Sequence, residues 1–331
     1  MKAVGFSEHG PLDVLCYQEF PDPISERGKV IVDVEYCGVN HLDIWTRMGI
    51  AGKAIRLPHI CGCDIVGLVK GQRVMVYPGA SCGKCQFCKS GRENLCNEFA
   101  IIGGLSNWNG GYAEKVIVPA SNLIKIPKEL KSEQAAALAV SYLVAWNMLK
   151  ANKAGKGKTI LVYGATSGVG MATIQLARAF GAKVITTSSA GKQGFANKLG
   201  ANHVIDRTNQ NIIEEIKKIS PAGVDIVIDH VGAATWPTSI AALKHGGKMA
   251  VCGMTSGNEA IVPVRMFYSK QIAMTGALLG SRAELHELVR FIVRKKIRPL
   301  IDSILPLEKA KEAQKKMEDG VNNGKILLKC Y

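Results

Sequence analysis

Four cysteines lie close together in the segment PGASCGKCQFCKSGRENLC. Cys82, Cys85, Cys88 and Cys96 follow the spacing C-x2-C-x2-C-x7-C. Four thiolates on one tight loop, with no open coordination position, are typical of a closed tetrahedral zinc site that stabilises a fold. Iron–sulfur proteins also carry cysteines at such spacings, but a proline usually follows their last cysteine, whereas Asn97 stands here. The cluster therefore predicts a structural zinc lobe over residues 82–96.

A glycine-rich turn between a strand and a helix is the second chemical signal. The apolar run Ile160–Val162 predicts a buried strand, helical spacing of apolar residues from Val169 to Phe180 predicts a helix, and Lys183–Thr187 predicts the next strand. Such a βαβ unit can hold a dinucleotide, whose pyrophosphate binds the helix N-terminus. The turn departs from a strict GxGxxG motif. The residues predicted to bind the cofactor here are Gly164, Ala165, Thr166, Ser167, Gly168, Val169 and Gly170.

The end of the second strand indicates which dinucleotide binds. An NAD site needs Asp or Glu about 20 residues after the glycine turn begins, to bind the ribose hydroxyls. This chain has hydroxyl side chains from Thr186 to Ser189, and Lys192 follows. Hydroxyls and a cation suit a 2′-phosphate, so Thr187, Ser188 and Lys192 predict NADP(H) in preference to NAD(H).

Two loops at strand ends hold possible metal ligands and acid–base groups. They are Asn40–Gly49 and Leu57–Gly67. The side chains of interest in them are Asn40, His41, Asp43, His59, Cys63 and Asp64. Taken singly, the carboxylates also fit turn or capping positions and the histidines fit ordinary satisfied histidines, so their function depends on context.

Composition limits the class of protein. The chain has 331 residues, of which 47% are hydrophobic, and this predicts a substantial core in two domains. No apolar run approaches a membrane span, and Met1–Phe6 does not begin a signal peptide. A net charge of +15 with 6% aromatic residues, and no basic block interleaved with aromatics, favours a solvated surface over a nucleic-acid-binding face. We expect a cytoplasmic enzyme with a small-molecule substrate and no membrane partner.

The elements that position these groups can be placed along the chain. Strands are predicted at Lys29–Val39 and Gln72–Tyr77, and helices at Ser132–Leu149 and Ser281–Val293. Turn residues punctuate short strands before Lys29, which is typical of a β-rich lobe.

The ordering of the cysteine loop and the βαβ unit resembles the zinc-containing medium-chain dehydrogenase/reductase superfamily over essentially the whole chain. The segment GGYAEKVIVPASNLIKIP resembles that family's entry into its cofactor domain, and Val224–Asp229, Gly246–Gly253 and Gly324–Leu328 resemble its fourth, fifth and closing strands. The resemblance implies an α/β fold with a GroES-like β-rich catalytic domain (1–125 and 266–331) and a doubly wound Rossmann domain (126–265). It places the catalytic cleft between them, and Gly253 beside the cofactor.

Two branches of the superfamily differ at readable positions. Alcohol dehydrogenases hold a catalytic zinc through Cys, a Gly-His-Glu motif and a second Cys. Here those positions are Asn40, Gly62-Cys63-Asp64 and the vicinity of Val140-Ser141, so only Cys63 could ligate strongly. Quinone oxidoreductases are similar in their Asn-x-x-Asp, Arg-x-Gly and Gly-x-Asp sequences, although they usually lack the four-cysteine lobe. The chain looks like a hybrid that keeps the structural zinc and has lost the catalytic one.

This interpretation determines the expected chemistry. Without a Lewis acid, hydride transfer favours an electron-poor acceptor, namely a quinone or a C=C bond conjugated to a carbonyl. Asn40 and Asp64 would orient the nicotinamide ribose, and His41 and Tyr142 are candidate proton donors. The predicted catalytic residues are Asn40, His41, Asp43, Cys63, Asp64 and Tyr142. The alternatives are a zinc-dependent alcohol dehydrogenase, in which Cys63 and nearby His or Asp side chains build an atypical site, and a non-catalytic RNA-binding relative.

Two further expectations follow from the resemblance. Ala260–Val264 is predicted as an edge strand that pairs with a second subunit, in a homodimer or homotetramer. The connection Leu68–Gln72 is shorter than the family's hairpin, so it is either a true deletion or the trace of a missing segment.

Overall fold

A computed structural model describes residues 1–50 and 55–331. The chain forms two compact units: unit 1 is residues 1–140 with 281–331, and unit 2 is residues 141–280. The domain boundaries expected after residues 125 and 265 lie 15 residues before the boundaries of these units, which fall after residues 140 and 280. Arg73 donates to Leu130 O, and Asp64 accepts from Val140 N, which attaches this stretch to unit 1. No helix of the described residues is long and apolar enough to cross a membrane.

The first part of unit 1 is built from short strands. They are β1 (Lys2–Phe6), β2 (Cys16–Glu19), β3 (Lys29–Gly38), β4 (His59–Ile60), β5 (Asp64–Val69), β6 (Gln72–Val76), β7 (Gly79–Ala80), β8 (Ala100–Ile101), β9 (Lys115–Pro119) and β10 (Leu123–Lys125). Its helices are α1 (His41–Met48), α2 (Gln86–Lys89) and α3 (Ser132–Ala135). The strands predicted at Lys29–Val39 and Gln72–Tyr77 are present, each one residue shorter.

The short connection after β5 closes as a tight hairpin. Val69 pairs with Gln72, so the loop is only Lys70 and Gly71, with φ angles of 50° and 76°. Two positive φ angles give the turn whose twist matches antiparallel strands. The chain as given therefore makes a complete hairpin at this point.

The helix predicted over Ser132–Leu149 is interrupted. α3 ends at Ala135, Leu138–Tyr142 forms a π-helical turn, and α4 (Leu143–Ala151) follows. The Asp64 carboxylate accepts the N–H of Val140 at 2.7 Å. A side chain that takes a backbone N–H out of the α-helical ladder is a recognised cause of such a break.

Unit 2 is a parallel sheet with helical crossovers. Its strands are β11 (Thr159–Val162), β12 (Lys183–Ser188), β13 (His203–Asp206), β14 (Val224–Asp229), β15 (Leu243–Val251) and β16 (Ala273–Gly276). Its helices after α4 are α5 (Gly168–Ala179), α6 (Gln193–Lys198), α7 (Ile212–Ile219), α8 (Trp236–Ala242) and α9 (Val264–Ser269). The order β13-β12-β11-β14-β15-β16 confirms the predicted doubly wound sheet, whose strand order reverses between β11 and β14.

The predicted edge strand at Ala260–Val264 is wrong. Residues 260–263 form no strand, and α9 begins at Val264. Pro263 lacks the N–H that a strand ladder needs, and it stands directly before the helix. The edge of the sheet on this side is β16.

The last part of the chain returns to unit 1 as α10 (Arg282–Arg294), β17 (Ile301–Pro306), α11 (Ala310–Glu318) and β18 (Lys325–Lys329). α10 confirms the helix predicted from Ser281, which caps it by accepting from Glu284 N. β18 lies between the edge strand β17, to which it is parallel, and β3, to which it is antiparallel.

Arg47 of the Arg-x-Gly sequence has a structural role. Its guanidinium is fully buried and donates to Gly10 O at 2.7 Å and to Gln314 Oε1 at 2.9 Å. It also pairs with Glu318. Arg47 thus fixes α11 against α1, because a buried guanidinium needs several acceptors in fixed positions.

Candidate functional site

The zinc lobe brings its four thiols together. β7 and β8 pair at the base of the loop. Cys88 lies in α2, and Cys85 is the N-cap residue of that helix. The Sγ atoms of Cys82, Cys85, Cys88 and Cys96 all lie within 4.8 Å of one another. Within the described ranges this is the one group of three or more His, Cys, Asp or Glu side chains that could hold a metal ion.

Backbone donors also suit thiolates in this lobe. Cys85 N lies 3.4 Å from Cys82 Sγ, and Glu98 N lies 3.4 Å from Cys96 Sγ. Hydrogen bonds from the Lys84 and Cys85 backbone lower the pKa of Cys82 to about 6. Since zinc binds the thiolate form, the loop fits the metal that its cysteine spacing predicts.

A buried polar cluster (Asn40, Asp43, Asp64, Tyr112 and Lys325) lies in unit 1. Lys325 Nζ is 2.6 Å from Asp64 Oδ2 and 2.6 Å from Asn40 Oδ1, and Asn40 Nδ2 is 3.0 Å from Asp64 Oδ2. Asp64 is 0% exposed, Lys325 2% and Asn40 7%. The three side chains form a closed triangle in which each charge has a partner, as burial requires.

Asp43 ties this cluster to the loop before β5. Its carboxylate accepts from Asn40 N at 2.8 Å, Tyr112 OH at 3.0 Å and Gly62 N at 3.2 Å. Burial raises the pKa of Asp43 to about 7, although the hydrogen bonds from Asn40 and Tyr112 pull it down. Cys63 Sγ lies 3.8 Å from Asp43 Oδ1, and burial raises the pKa of this thiol. Cys63 is therefore a neutral thiol in the metal-free chain, and among the described residues it joins no group of three or more possible metal ligands.

Four predicted catalytic residues meet at this cluster, namely Asn40, Asp43, Cys63 and Asp64. His41 is the exposed first residue of α1, with its ring 6.3 Å from that of Trp45. Tyr142 lies in unit 2, is fully buried, and donates its hydroxyl proton to Gln175 Oε1. Burial raises the Tyr142 pKa, so its hydroxyl stays protonated, and His41 is the more accessible of the two proton-donor candidates.

Sequence reasoning missed Lys325 and Tyr112. Lys325 carried a weak signal, because a lysine stands directly before the apolar run Ile326–Leu328. Tyr112 carried none, since one tyrosine after a Gly-Gly pair has no functional pattern.

His59 has no place in the polar cluster. It is 1% exposed in β4, with its ring centroid 5.7 Å from that of Phe6. Burial lowers the pKa of His59 to about 4, from 6.5. Between these two values the unfolded chain binds more protons than the folded one, so His59 makes the folded state less stable as the pH falls.

We expect the His59→Asn variant to lose less stability in acid than the wild type. Between about pH 7.5 and about pH 5 the wild type should lose about 2 kcal/mol more free energy of unfolding, because only it must protonate a buried imidazole. Asp43 shifts stability the opposite way in this window, but it does so in both proteins and cancels from the difference. Urea unfolding at the two pH values measures this, and parallel losses would show that His59 does not titrate as described.

In unit 2, the glycine turn follows β11 and leads into α5. Gly164 has φ of 58°, and a Cβ on Gly170 would lie 2.1 Å from Gly164 O, so the turn closes only with glycine there. Ser167 caps α5 by accepting from Gly170 N at 2.9 Å. Thr187 holds the turn onto β12, because its hydroxyl accepts from Gly164 N at 3.2 Å. All seven predicted turn residues, 164–170, thus lie at the carboxyl end of β11, where doubly wound sheets bind ligands.

The other predicted cofactor residues lie on neighbouring strand ends. Ser188 ends β12, is 3% exposed, and its hydroxyl has no hydrogen-bond partner among the described residues. Lys192 is the half-buried residue before α6, and Gly253 follows β15 with φ of 127°. A buried hydroxyl without a partner in the described chain is available to a bound ligand, so these residues are compatible with a dinucleotide.

Comparisons with known proteins agree with this geometry. Residues 26–128 match the family model of the alcohol dehydrogenase GroES-like domain, and residues 168–294 match that of the zinc-binding dehydrogenases. An alcohol dehydrogenase of Geobacillus stearothermophilus is 30% identical over 94% of this chain and 94% of its own length. A quinone oxidoreductase of Mus musculus is 30% identical over 99% of this chain and 97% of its own. A solved NAD-dependent alcohol dehydrogenase superposes with a TM-score of 0.94, at 34% identity over 99% of both chains.

Proposed function

The chain belongs to the zinc-containing medium-chain dehydrogenase/reductase superfamily, and we propose that within it the protein reduces activated C=C bonds or quinones with NADP(H). It is an oxidoreductase with a GroES-like domain and an NAD(P)-binding fold. One structural zinc per chain, held by the four cysteines of the zinc lobe, completes the proposal.

The buried polar cluster is the observation that carries this choice of reaction. At the positions where a catalytic zinc would need ligands, Asp64 is paired with Lys325 and Cys63 is a neutral thiol next to Asp43. Among residues 1–50 and 55–331, His41, His59, Asp43 and Asp64 do not join Cys63 in a ligating group. Side chains that already bind one another in this way are poorly placed to bind a metal ion.

The chain's own residues supply orientation and a proton. NADPH, when bound, supplies the hydride, and an electron-poor acceptor receives it without metal activation. Lys325 and Asp64 hold the Asn40 amide in one orientation, and Asn40 is the most exposed of the three side chains. Asn40 Nδ2 already donates to Asp64 Oδ2 and Gly38 O, so we assign to Asn40 Oδ1 the acceptance of a hydrogen bond from the ligand. To His41 we assign the delivery of a proton to the reduced acceptor.

Preference for NADPH is proposed from the end of β12. Ser188 offers a hydroxyl that lacks a partner within the described chain, and Lys192 follows as a half-buried cation. A phosphate oxygen would accept from both, and no Asp or Glu stands among Thr186–Ser189 to bind free ribose hydroxyls.

The test measures reduction of an enone and of a quinone with each dinucleotide. We expect kcat/KM to be about tenfold higher with NADPH than with NADH, and Lys192→Ala to raise the KM for NADPH about tenfold because a charged phosphate contact is lost. Lys198→Ala, which changes the exposed lysine at the end of α6, is the control. Equal efficiency with both dinucleotides would overturn the NADPH preference.

A zinc-dependent alcohol dehydrogenase is the second candidate, favoured by the names of the similar proteins. Elemental analysis separates the two. One zinc per chain together with enone or quinone reduction supports the main proposal, whereas two zincs together with alcohol oxidation would replace it.

The oligomeric state of the protein stays a prediction. We propose a homodimer or homotetramer, which light scattering of the purified protein would test.

A further inference from the structure

His230 lies directly after β14 and contacts both ends of the glycine turn. Its Nε2 is 2.8 Å from Tyr163 O and 3.3 Å from Ser167 Oγ. A carbonyl oxygen only accepts, so Nε2 carries the proton and donates. Tyr163 precedes the turn and Ser167 caps α5, so a single N–H is directed at the beginning and the end of the loop.

The imidazole also lies beside Gly164, the first residue of the turn. A Cβ placed on Gly164, which has φ of 58°, would meet His230 Cε1 at 3.4 Å, so a side chain at this position would contact the ring. Burial lowers the pKa of His230, so the ring is neutral at neutral pH and acts here as a hydrogen-bond donor and a packing surface.

His230 is itself held in a fixed position. The preceding Asp229 carboxylate accepts from Val231 N at 2.9 Å, from Gly232 N at 3.1 Å and from Ser239 Oγ at 2.7 Å. On the other side, a Cβ on Gly253 would lie 2.7 Å from His230 O. A side chain on such a rigid support can impose a conformation on a mobile neighbour such as a loop.

We propose that His230 is a positioning residue for the dinucleotide, which clamps the glycine turn in the conformation that receives the pyrophosphate. None of the sequence motifs singles it out. Without its N–H, Tyr163 O loses its donor and the Ser167 cap is no longer fixed, so the turn would have to reorder whenever a dinucleotide binds.

The test compares His230→Leu, which keeps much of the volume without a donor, with His230→Gln, whose amide N–H can reach the position of Nε2. NADPH and NADH are titrated separately by their fluorescence, with no acceptor present. We expect leucine to raise the Kd of both dinucleotides about tenfold, and glutamine to restore it to within about threefold of the wild type. At saturating dinucleotide, kcat of the leucine variant should stay within about twofold.

His203→Leu, a half-buried histidine of β13 away from the turn, is the control for general loss of stability. Unchanged affinity in His230→Leu, or equal weakening in the glutamine and leucine variants, would overturn the proposal. If the leucine variant does not fold, His230→Asn replaces it, because its shorter amide does not reach Tyr163 O. If the wild type bound NADPH and NADH with equal Kd values, the proposed NADPH preference would be wrong, but the role of His230 would still be tested by the variants. The two proposals can therefore fail separately.

Discussion

Replacing Cys88 by serine should abolish zinc binding and unfold the zinc lobe. Cys88 Sγ lies 3.5 Å from Cys85 Sγ and 3.8 Å from Cys82 Sγ, so its loss opens the ligand set. The segment has few buried side chains of its own, whereas a structural zinc contributes on the order of 10 kcal/mol at neutral pH. Little else would then hold the loop in one conformation.

Limited proteolysis and elemental analysis measure the outcome. Lys84, Lys89 and Arg92 are exposed in the lobe, and we expect trypsin to cut there on the order of a hundredfold faster in Cys88→Ser. Zinc should fall from one per chain to none. Cys16→Ser, an exposed cysteine on β2, is the matched control and should keep both properties of the wild type. A zinc-free variant that resists trypsin like the wild type would refute a structural role for the metal.

Replacing Lys325 by methionine should lower the free energy of unfolding by about 3 to 5 kcal/mol, because it leaves a buried carboxylate without its cation. Asp64 would keep only the N–H groups of Asn40 and Val140. The Asn40 amide would lose its partner at Oδ1 as well.

A double variant tests the pairing itself. Asp64→Asn combined with Lys325→Met removes both charges and should be clearly more stable than Lys325→Met alone. Lys329→Met changes an exposed lysine on the same strand and should cost little. Denaturant unfolding gives all four free energies. The ion pair would lose its assigned role if Lys325→Met were as stable as Lys329→Met.

Local pattern was sufficient for the elements of unit 2. The β11–α5–β12 unit stands where its apolar periodicity placed it, and Val224–Asp229, which the resemblance identified, is a strand at the expected bounds. Such elements are specified by their own residues, because a parallel strand buried on both faces is apolar throughout. Ala260–Val264 forms no strand, because Pro263 cannot donate to a ladder and α9 begins directly after it.

The site was less predictable because its contacts join distant segments. Asn40 and Asp64 were selected from short motifs, but the cation between them, Lys325, comes from the far end of the chain. Likewise Tyr142 was selected by position, and only the structure shows its hydroxyl bonded to Gln175. His230 follows a strand by one residue, a placement that acquires meaning only when the glycine turn folds against it.

The pairing of β18 with β3 in the sheet of unit 1 has a consequence for biosynthesis. Residues 141–280 leave the ribosome as one uninterrupted segment and can complete their sheet during translation. Unit 1 cannot, because β18 pairs with β3 across most of the chain, and Lys325 and Asn40 are 285 residues apart. Until β18 is synthesised, Tyr36–Gly38 offers an open strand edge to any other nascent chain. The buried polar cluster is thus completed only when β18 has been synthesised, after all of unit 2.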